Sequence, residues 1–297
     1  MSETNATAAT VRHVLCARPE GLKRMSYCQW GPGHGGHPAV ICVHGLSRNA
    51  HDFDHLGAAL GEAGRRVLAP DVLGRGDSDW LTDSSGYQLP HYVSDMTPLI
   101  ARATAPLDMD QVDWVGTSMG GLIAMLLAAS PQSPIRRLVL NDVGPFVPKA
   151  ALERIAAYAT AAEPTFASLE EAEAHYRQIH ADFGPMTDAD WNDFTRHSTV
   201  QRDDGPGGWL PHQDPGIGDP MRGQEVADVD LWPLWDLIQC PVLVLRGARS
   251  DLLTAETAAE MTKRGPNCTV HEVPDAGHAP MFTTAEINGV VADFLAA

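Results

Sequence analysis

Positive charge is scarce in this 297-residue chain: 21 Lys and Arg residues stand against 38 Asp and Glu residues, a formal net charge of −17 at pH 7. This balance argues against nucleic acid or an anionic membrane surface as the main partner. The chain also lacks a long apolar run, and its first ten residues contain no basic start followed by an apolar segment. The sequence therefore predicts no membrane anchor and no signal peptide, and residues 1–10 are expected to form a flexible tail.

Cysteine is also scarce, with five residues and no pair at Cys-x-x-Cys spacing. An odd number of cysteines in apolar surroundings is typical of free, buried thiols, so we expect a reducing, cytoplasmic location. Hydrophobic residues make up 44% of the chain, which is enough for a sizeable core and argues against global disorder.

The most informative stretch is Gly116-Thr117-Ser118-Met119-Gly120, which separates an apolar segment from a strong helix former. A turn from a strand into a helix within so few residues strains the central residue and leaves space only for glycine beside it. The turn exposes the Ser118 hydroxyl at the start of the helix, where the Met119 N–H can stabilise an anion. The pattern predicts that Ser118 is a nucleophile.

A second loop is predicted to face the same site. Residues 39–43 form a continuous apolar run, typical of a strand buried on both faces, and His44-Gly45-Leu46 follows it. We expect the Leu46 N–H to be one donor of an oxyanion hole and the Met119 N–H to be the other.

Two other patterns suggest ligands but lack the context that a site needs. Residues 31–36 match Gly-x-Gly-x-x-Gly, yet no helix follows to hold a dinucleotide, so we predict a loop. His51 and His55 are spaced as metal ligands on a helix, but no third ligand is evident, and we expect no metal site.

The order of the elements predicts an α/β fold. Apolar strands alternate with helices in residues 11–145 and again in 240–297, which indicates a doubly wound, mostly parallel sheet. Residues 146–239 break this pattern, being helical, rich in loops and acidic, and we expect a helical insertion there. The tryptophans of this segment either line an apolar substrate pocket or form the core of the segment itself; they are Trp191, Trp209, Trp232 and Trp235.

Two further residues complete a candidate catalytic triad. Asp251 and His278 each follow an apolar strand, so both are expected at the same sheet edge as Ser118. His278 would take the Ser118 proton, and Asp251 would orient the imidazole. We assign the acid to Asp251 because it follows a strand and a short turn and leads into a capped helix.

These residues together resemble the α/β-hydrolase fold family over residues 11–297, and most of all its bacterial cytoplasmic serine esterases. The motifs that carry the resemblance are His44-Gly45, Asp71-x-x-Gly74-x-Gly76-x-Ser78, Gly116-Thr117-Ser118-Met119-Gly120, Ser250-Asp251 and Gly277-His278. The resemblance implies a core sheet of eight strands, a helical lid inserted after the sixth strand, and no cofactor. In part of the family the acid follows the sixth strand, where this chain has Asn141-Asp142, so the resemblance makes Asp142 the alternative to Asp251. Some similar proteins act on short 3-hydroxyalkanoate oligomers.

We therefore expect a serine hydrolase that cleaves small, mostly neutral carboxylic esters with water through an acyl-enzyme. Dehalogenases and epoxide hydrolases of the family carry Asp where this chain has Ser118, which disfavours both. A carbon–carbon bond hydrolase or a perhydrolase could use the same triad. A non-catalytic receptor or scaffold of this fold is an alternative of another class. For the assembly, we consider a homodimer as well as a monomer.

Overall fold

The apolar runs of the sequence become the inner strands of one sheet in the computed structural model, which describes residues 9–33, 36–107, 109–201 and 208–297. All four residues of the third strand are buried, as expected for a strand covered on both faces. The strands are β1 (Thr10–Arg18), β2 (Gly21–Trp30), β3 (Val40–Val43), β4 (Val67–Pro70), β5 (Val112–Thr117), β6 (Ile135–Asn141), β7 (Phe146–Val147), β8 (Thr199–Gln201), β9 (Trp209–Pro211), β10 (Val229–Asp230), β11 (Val242–Gly247) and β12 (Cys268–Val273).

Helices follow most of the strands. They are α1 (Asp54–Glu62), α2 (Leu89–Thr104), α3 (Met119–Ala128), α4 (Lys149–Ala159), α5 (Leu169–Ile179), α6 (Asp188–Ser198), α7 (Trp232–Trp235), α8 (Ala255–Met261) and α9 (Ala285–Ala296). Short 3₁₀ turns are Ala50–Phe53, Ser84–Gly86, Ala105–Leu107 and Pro215–Met221. Within the described ranges, no helix combines the length and the apolar character needed to cross a membrane.

The main sheet has eight strands in the order β1-β2-β4-β3-β5-β6-β11-β12. The β1/β2 and β2/β4 pairs are antiparallel, and the remaining pairs are parallel. Parallel pairing brings the carboxyl ends of six strands to one edge, where the loops that carry Ser118 and His278 begin. The predicted fold class, a mostly parallel sheet of eight strands, is confirmed.

An apolar layer covers each face of the sheet. Leu99 of α2 and Ile123 of α3 belong to one layer, whereas Leu60 of α1 and Val291 of α9 belong to the other. Helices on both faces make the sheet doubly wound. Thr10, which we placed in the predicted tail, pairs with Gln29 in the β1/β2 ladder; residues 1–8 of that prediction lie outside the described ranges.

Residues 146–239, which we call the insertion, separate β6 from β11. The segment has its own small apolar core, formed by Phe166, Ala172, Tyr176, Trp191 and Phe194. It lies against the loops at the carboxyl edge of the sheet, where the Gly76 N–H donates to the His212 carbonyl at 2.9 Å. The insertion also contains short strands that we did not expect, since β8 pairs with β9 and β10 pairs with β7. The extended Thr199–Gln201 segment includes two β-branched residues, a composition that favours such pairing.

Candidate active site

Ser118 occupies a strained turn between β5 and α3. Its backbone has φ 51° and ψ −112°, a region that non-glycine residues rarely adopt. A Cβ atom at Gly120 would lie 2.0 Å from the Val43 carbonyl oxygen, and one at Gly116 would lie 2.5 Å from the Gly120 oxygen. The turn therefore closes only with glycine at both flanking positions, as the sequence pattern predicts.

The structure brings His278 to Ser118. The loop after β12 places the His278 Nε2 atom 3.0 Å from the Ser118 Oγ atom. On the other side of the ring, Nδ1 lies 2.8 Å from the Oδ2 atom of Asp142. In this network Nδ1 carries the proton donated to the carboxylate, so Nε2 is free to accept the Ser118 proton.

The acid in this arrangement is Asp142, which corrects our choice of Asp251. Asp142 follows β6, which is hydrogen-bonded to β5 in the sheet. Its carboxylate is fully buried and accepts the Gly247 N–H at 2.8 Å and the Ser250 hydroxyl at 2.5 Å, besides the His278 ring. Three donors around one buried carboxylate fix its orientation.

Asp251 points the other way. Its carboxylate forms a bidentate pair with Arg154 of α4, with both N–O distances 2.8 Å, and about half of each side chain is exposed. The preceding residue takes the inward position instead: the Ser250 hydroxyl donates to Asp142 and accepts the Leu253 N–H at 3.1 Å.

Ser250 and Asn141 are supporting residues that the sequence alone did not single out for these contacts. The Asn141 side-chain amide donates to the Thr117 hydroxyl at 3.1 Å and to the Pro280 carbonyl at 2.8 Å. It thereby joins the end of β5, directly before Ser118, to the loop after His278. Its position directly before Asp142 at the end of a buried strand was the available signal.

The two predicted oxyanion residues belong to segments that adjoin Ser118. A Cβ atom at Gly45 would be 3.7 Å from the Ser118 Cβ atom, so the loop before Leu46 packs directly on the turn. Met119 is the first residue of α3, where helix amides have no partner within the helix. In the described ranges, neither the Leu46 nor the Met119 N–H donates to a backbone carbonyl.

His44 holds the loop that carries Leu46. The ring is fully buried, its Nδ1 atom lies 2.7 Å from the Gly45 oxygen, and its Nε2 atom accepts the Val72 N–H at 3.0 Å. Burial lowers the pKa of His44 to about 3, so the ring is neutral near pH 7. A neutral ring with the proton on Nδ1 satisfies both contacts.

The loop from Asp71 to Ser78 is built around a buried carboxylate. Asp71 accepts the Ala50 N–H at 2.8 Å and the Asp77 N–H at 3.0 Å, while burial raises its pKa to about 6. The Ser78 hydroxyl donates to the Asp71 carbonyl and accepts the Ser26 N–H. Asp71 and Ser78 of the Asp71-x-x-Gly74-x-Gly76-x-Ser78 motif therefore stabilise the loop.

The four tryptophans that we named as candidates for substrate binding have packing roles. Trp191 and Trp209 pack in the core of the insertion, beside Phe166. Trp235 is fully buried in the main core, and the Arg264 guanidinium lies 4.9 Å from the Trp232 ring. The structure thus favours the alternative that aromatic residues hold the insertion together and attach it to the sheet domain, because large rings bury the most apolar area in a small core.

The predicted histidine pair does not converge. His51 stacks on His197 of α6 with ring centroids 3.6 Å apart and an interplanar angle of 8°, and its Nδ1 atom lies 3.0 Å from Asp54. His55 instead contacts Asp190 at 2.9 Å. Potential ligand atoms of His51, Asp54 and His197 lie within 4.8 Å of one another, but parallel rings direct their in-plane lone pairs side by side. In this arrangement the histidines connect the insertion to the sheet domain.

Comparisons with known proteins place this geometry in a family. The model of the alpha/beta hydrolase family matches residues 40–290. A 3-hydroxybutyrate-oligomer hydrolase from Cupriavidus necator is 46% identical over 278 residues, which cover 91% of this chain and 92% of that protein. Esterase Rv0045c from Mycobacterium tuberculosis is 31% identical over 263 residues, covering 86% of this chain and 80% of the relative.

Solved structures agree with the sequence comparisons. A structure described as a putative hydrolase from Rickettsia typhi superposes with a TM-score of 0.86 at 29% identity, covering 97% of this chain and 99% of the other. An alpha/beta hydrolase from Novosphingobium aromaticivorans gives a TM-score of 0.83 at 34% identity, with 97% and 98% covered. The chain therefore belongs to the alpha/beta hydrolase family, and it is a serine hydrolase of carboxylic esters.

Proposed function

We propose that Ser118, His278 and Asp142 form the catalytic triad and that the substrates are short 3-hydroxybutyrate oligomers or similar small acyl esters. The observation that carries the triad is the continuous chain of hydrogen bonds from the Ser118 hydroxyl through His278 to a buried carboxylate, at 3.0 and 2.8 Å. Support for the substrate comes from the 46% identical relative, which is an oligomer hydrolase of that kind.

The geometry suits a two-step reaction. The Ser118 Oγ atom attacks the ester carbonyl carbon as its proton moves to His278 Nε2, and Asp142 stabilises the resulting imidazolium. The tetrahedral oxyanion accepts hydrogen bonds from the Leu46 and Met119 N–H groups, each worth on the order of 3 kcal/mol. When the C–O bond breaks, His278 returns the proton to the leaving alcohol and leaves an acyl-enzyme.

Water completes the cycle by the same route. His278 removes a proton from water as the water oxygen attacks the acyl carbon, and the proton then returns to the Ser118 oxygen as the acid leaves. For an oligomer of hydroxybutyrate, the leaving alcohol in the first step is the hydroxyl end of the next unit. Each turnover would therefore release two shorter hydroxy acids.

Labelling with a fluorophosphonate tests the nucleophile, and an ester panel tests the substrate. We expect a single adduct by intact mass on the wild type and none on Ser118→Ala. The same pair of proteins is then given 3-hydroxybutyrate dimer and trimer beside p-nitrophenyl butyrate. An adduct together with p-nitrophenyl hydrolysis, but no cleavage of either oligomer, would reject the substrate and keep the triad. An adduct that persists on Ser118→Ala would reject the triad.

We also propose that the insertion acts as a lid that sorts substrates. The support for this role is the position of the insertion next to the proposed triad. Arg154 of α4 pairs with Asp251, the residue after Ser250, and the Asp182 carbonyl accepts the Gly277 N–H in the loop that carries His278. A lid that sorts substrates should give hydrolysis rates that depend strongly on acyl length in a series of p-nitrophenyl esters. Equal rates along the series would count against this role.

For the cellular setting, we propose a cytoplasmic enzyme. All five cysteines are free thiols, and Cys16, Cys28 and Cys42 are buried, which suits a reducing compartment. Cell fractionation with a tagged full-length chain tests the location. A homodimer remains the assembly to check, and light scattering coupled to gel filtration distinguishes it from a monomer.

A further inference from the structure

Arg75 is a fully buried cation beside the proposed oxyanion hole. Its Nε atom donates to the Leu46 carbonyl at 2.8 Å, and one Nη atom donates to the Tyr92 hydroxyl at 2.7 Å and to the Leu73 carbonyl at 2.8 Å. The other Nη atom lies 3.9 Å from the Met119 sulfur. Arg75 therefore touches both residues whose N–H groups are assigned to the oxyanion.

The partners of this guanidinium are neutral. Across residues 9–33, 36–107, 109–201 and 208–297, no carboxylate forms an ion pair with Arg75. The Tyr92 and Tyr87 rings lie 5.1 and 5.5 Å away, close enough for cation–π attraction, and Asp214 binds the Tyr87 hydroxyl rather than the arginine. Burying a charge without a counter-ion costs desolvation free energy. A positive charge at this position therefore indicates a role other than stabilising the fold.

The insertion closes the outer side of this arginine. Arg75 forms a β-bridge with Gln213, the Gly76 N–H donates to the His212 carbonyl, and the Asp214 N–H donates to the Gly74 carbonyl at 2.7 Å. This contact keeps water away from the guanidinium. A charge that water does not screen acts more strongly on a negative charge forming nearby.

We propose that Arg75 is a positioning residue for ester hydrolysis: it fixes Leu46 and Met119 and supplies a buried positive charge behind the oxyanion. The inference rests on the oxyanion assignment made above. Its distinctive consequence is that Arg75 stabilises the anionic tetrahedral state more than the neutral bound ester, so its loss should lower kcat more than it raises KM.

Two substitutions separate the roles. Arg75→Met removes the charge and the hydrogen bonds, whereas Arg75→Lys keeps the charge and loses the planar fork. Arg66 is the matched control, because it is also a buried arginine that donates to neutral acceptors, the Arg102 and Ala103 carbonyls and the Gln29 side chain. Arg66→Met and Arg66→Lys therefore carry a similar structural burden in another part of the fold.

We would measure KM and kcat, with kcat expressed per active site and the sites counted by fluorophosphonate titration. We would also measure the affinity for a boronic acid, which forms an anionic tetrahedral adduct on a serine. Removing an oxyanion donor outright costs roughly 10²–10³ in kcat, so for Arg75→Met, which acts through the donors, we expect a loss of about 10- to 100-fold. KM should change by less than about threefold, and boronate affinity should fall in parallel with kcat. Arg75→Lys should fall in between, and the Arg66 variants should keep wild-type values per site.

A purely structural role predicts a different result. Fewer sites would titrate, but each would retain the wild-type kcat and boronate affinity, as in the Arg66 controls, and this outcome would overturn the proposal. If Arg75→Met does not fold, Arg75→Lys and Tyr92→Phe are measured instead. Tyr92→Phe removes only one hydrogen-bond acceptor of the guanidinium. An unchanged kcat in both variants would also overturn the proposal. A wild type that forms no adduct on Ser118 would instead refute the proposed triad.

Discussion

Replacing Asp142 with Asn should remove most of the turnover, whereas the same exchange at Asp251 should not. The Asp142 carboxylate is fully buried, and its three partners all donate to it: the Gly247 N–H to Oδ1, and the His278 ring and the Ser250 hydroxyl to Oδ2. An amide has only one oxygen. The Gly247 N–H can only donate, so that oxygen should stay opposite it, and the new NH₂ group would then face His278.

The size of the effect follows from the tautomer. An NH₂ group facing Nδ1 favours the imidazole with its proton on Nε2, and that nitrogen can no longer accept the Ser118 proton. The same exchange in a well-studied serine protease lowers kcat by about 10⁴, so we expect a loss of this order. At 1.36 kcal/mol for each factor of ten, the barrier rises by roughly 5.5 kcal/mol.

Asp251→Asn is the matched control. It weakens a half-exposed pair with Arg154, and such pairs contribute about 0–1 kcal/mol to the free energy of unfolding. The assay is the initial rate of p-nitrophenyl butyrate hydrolysis, with urea unfolding to show that both variants are folded. If Asp251→Asn lost more than about 100-fold while Asp142→Asn stayed within tenfold of the wild type, the reasoning would be refuted.

Three further results should follow from the structure. Gly120→Ala puts a methyl group 2.0 Å from the Val43 oxygen, so it should lower the free energy of unfolding by about 3 kcal/mol or more in urea titrations, and a loss below about 1 kcal/mol would contradict the close approach. His44 is neutral in the fold with a pKa of about 3 against about 6.5 when unfolded, so its contribution to stability falls as the pH drops below 6.5. The stability difference between wild type and His44→Asn should therefore shift against the wild type by up to about 1.4 kcal/mol per pH unit from pH 6.5 downward, and a difference independent of pH would be evidence against a buried neutral ring. Trp235→Phe should lower stability but leave the ranking of p-nitrophenyl esters by acyl length unchanged, because the ring is fully buried; an altered ranking would place it in the substrate pocket.

The sequence was sufficient to predict the parts of the site that depend on backbone geometry. Glycine is required at 116 and 120 because a Cβ atom there would lie 2.5 and 2.0 Å from a backbone oxygen, and such a requirement is visible in the sequence itself. The parallel sheet was predictable for a similar reason, since strands such as β3 are apolar throughout. The alternation of apolar strands and helices also predicted that Ser118 and His278 lie at one sheet edge, where they are hydrogen-bonded.

The acid was not predictable with the same security, because the direction of a side chain in a turn has no period. Ser250 and Asp251 are consecutive residues, and one hydroxyl contact decides which of them faces Asp142. The order of the strands matters as well. Asp142 follows a strand that lies between β5 and β11 in the sheet, and the sequence alone does not give that order.

The tryptophans illustrate a second limit. Aromatic residues in an inserted segment can cover a substrate or form the core of the segment, and both uses require the same composition. Trp191 and Trp209 were candidates for either use, and they pack with Phe166 and Tyr176. Only the pairing of β8 with β9 and the packing of α5 on α6 reveal this core.

The insertion also holds the loop of the proposed base. The Asp182 carbonyl accepts the Gly277 N–H at 2.6 Å, and the Phe183 carbonyl accepts the Met281 N–H at 3.0 Å. His278 thus lies between two backbone contacts that belong to another part of the chain. A straightforward way to alter the substrate range is to replace the whole insertion with that of a relative. This replacement would also change the residues that support the loop of the proposed base. A chimaera that keeps residues 180–185 of this chain should therefore retain more turnover than one that replaces the segment entirely.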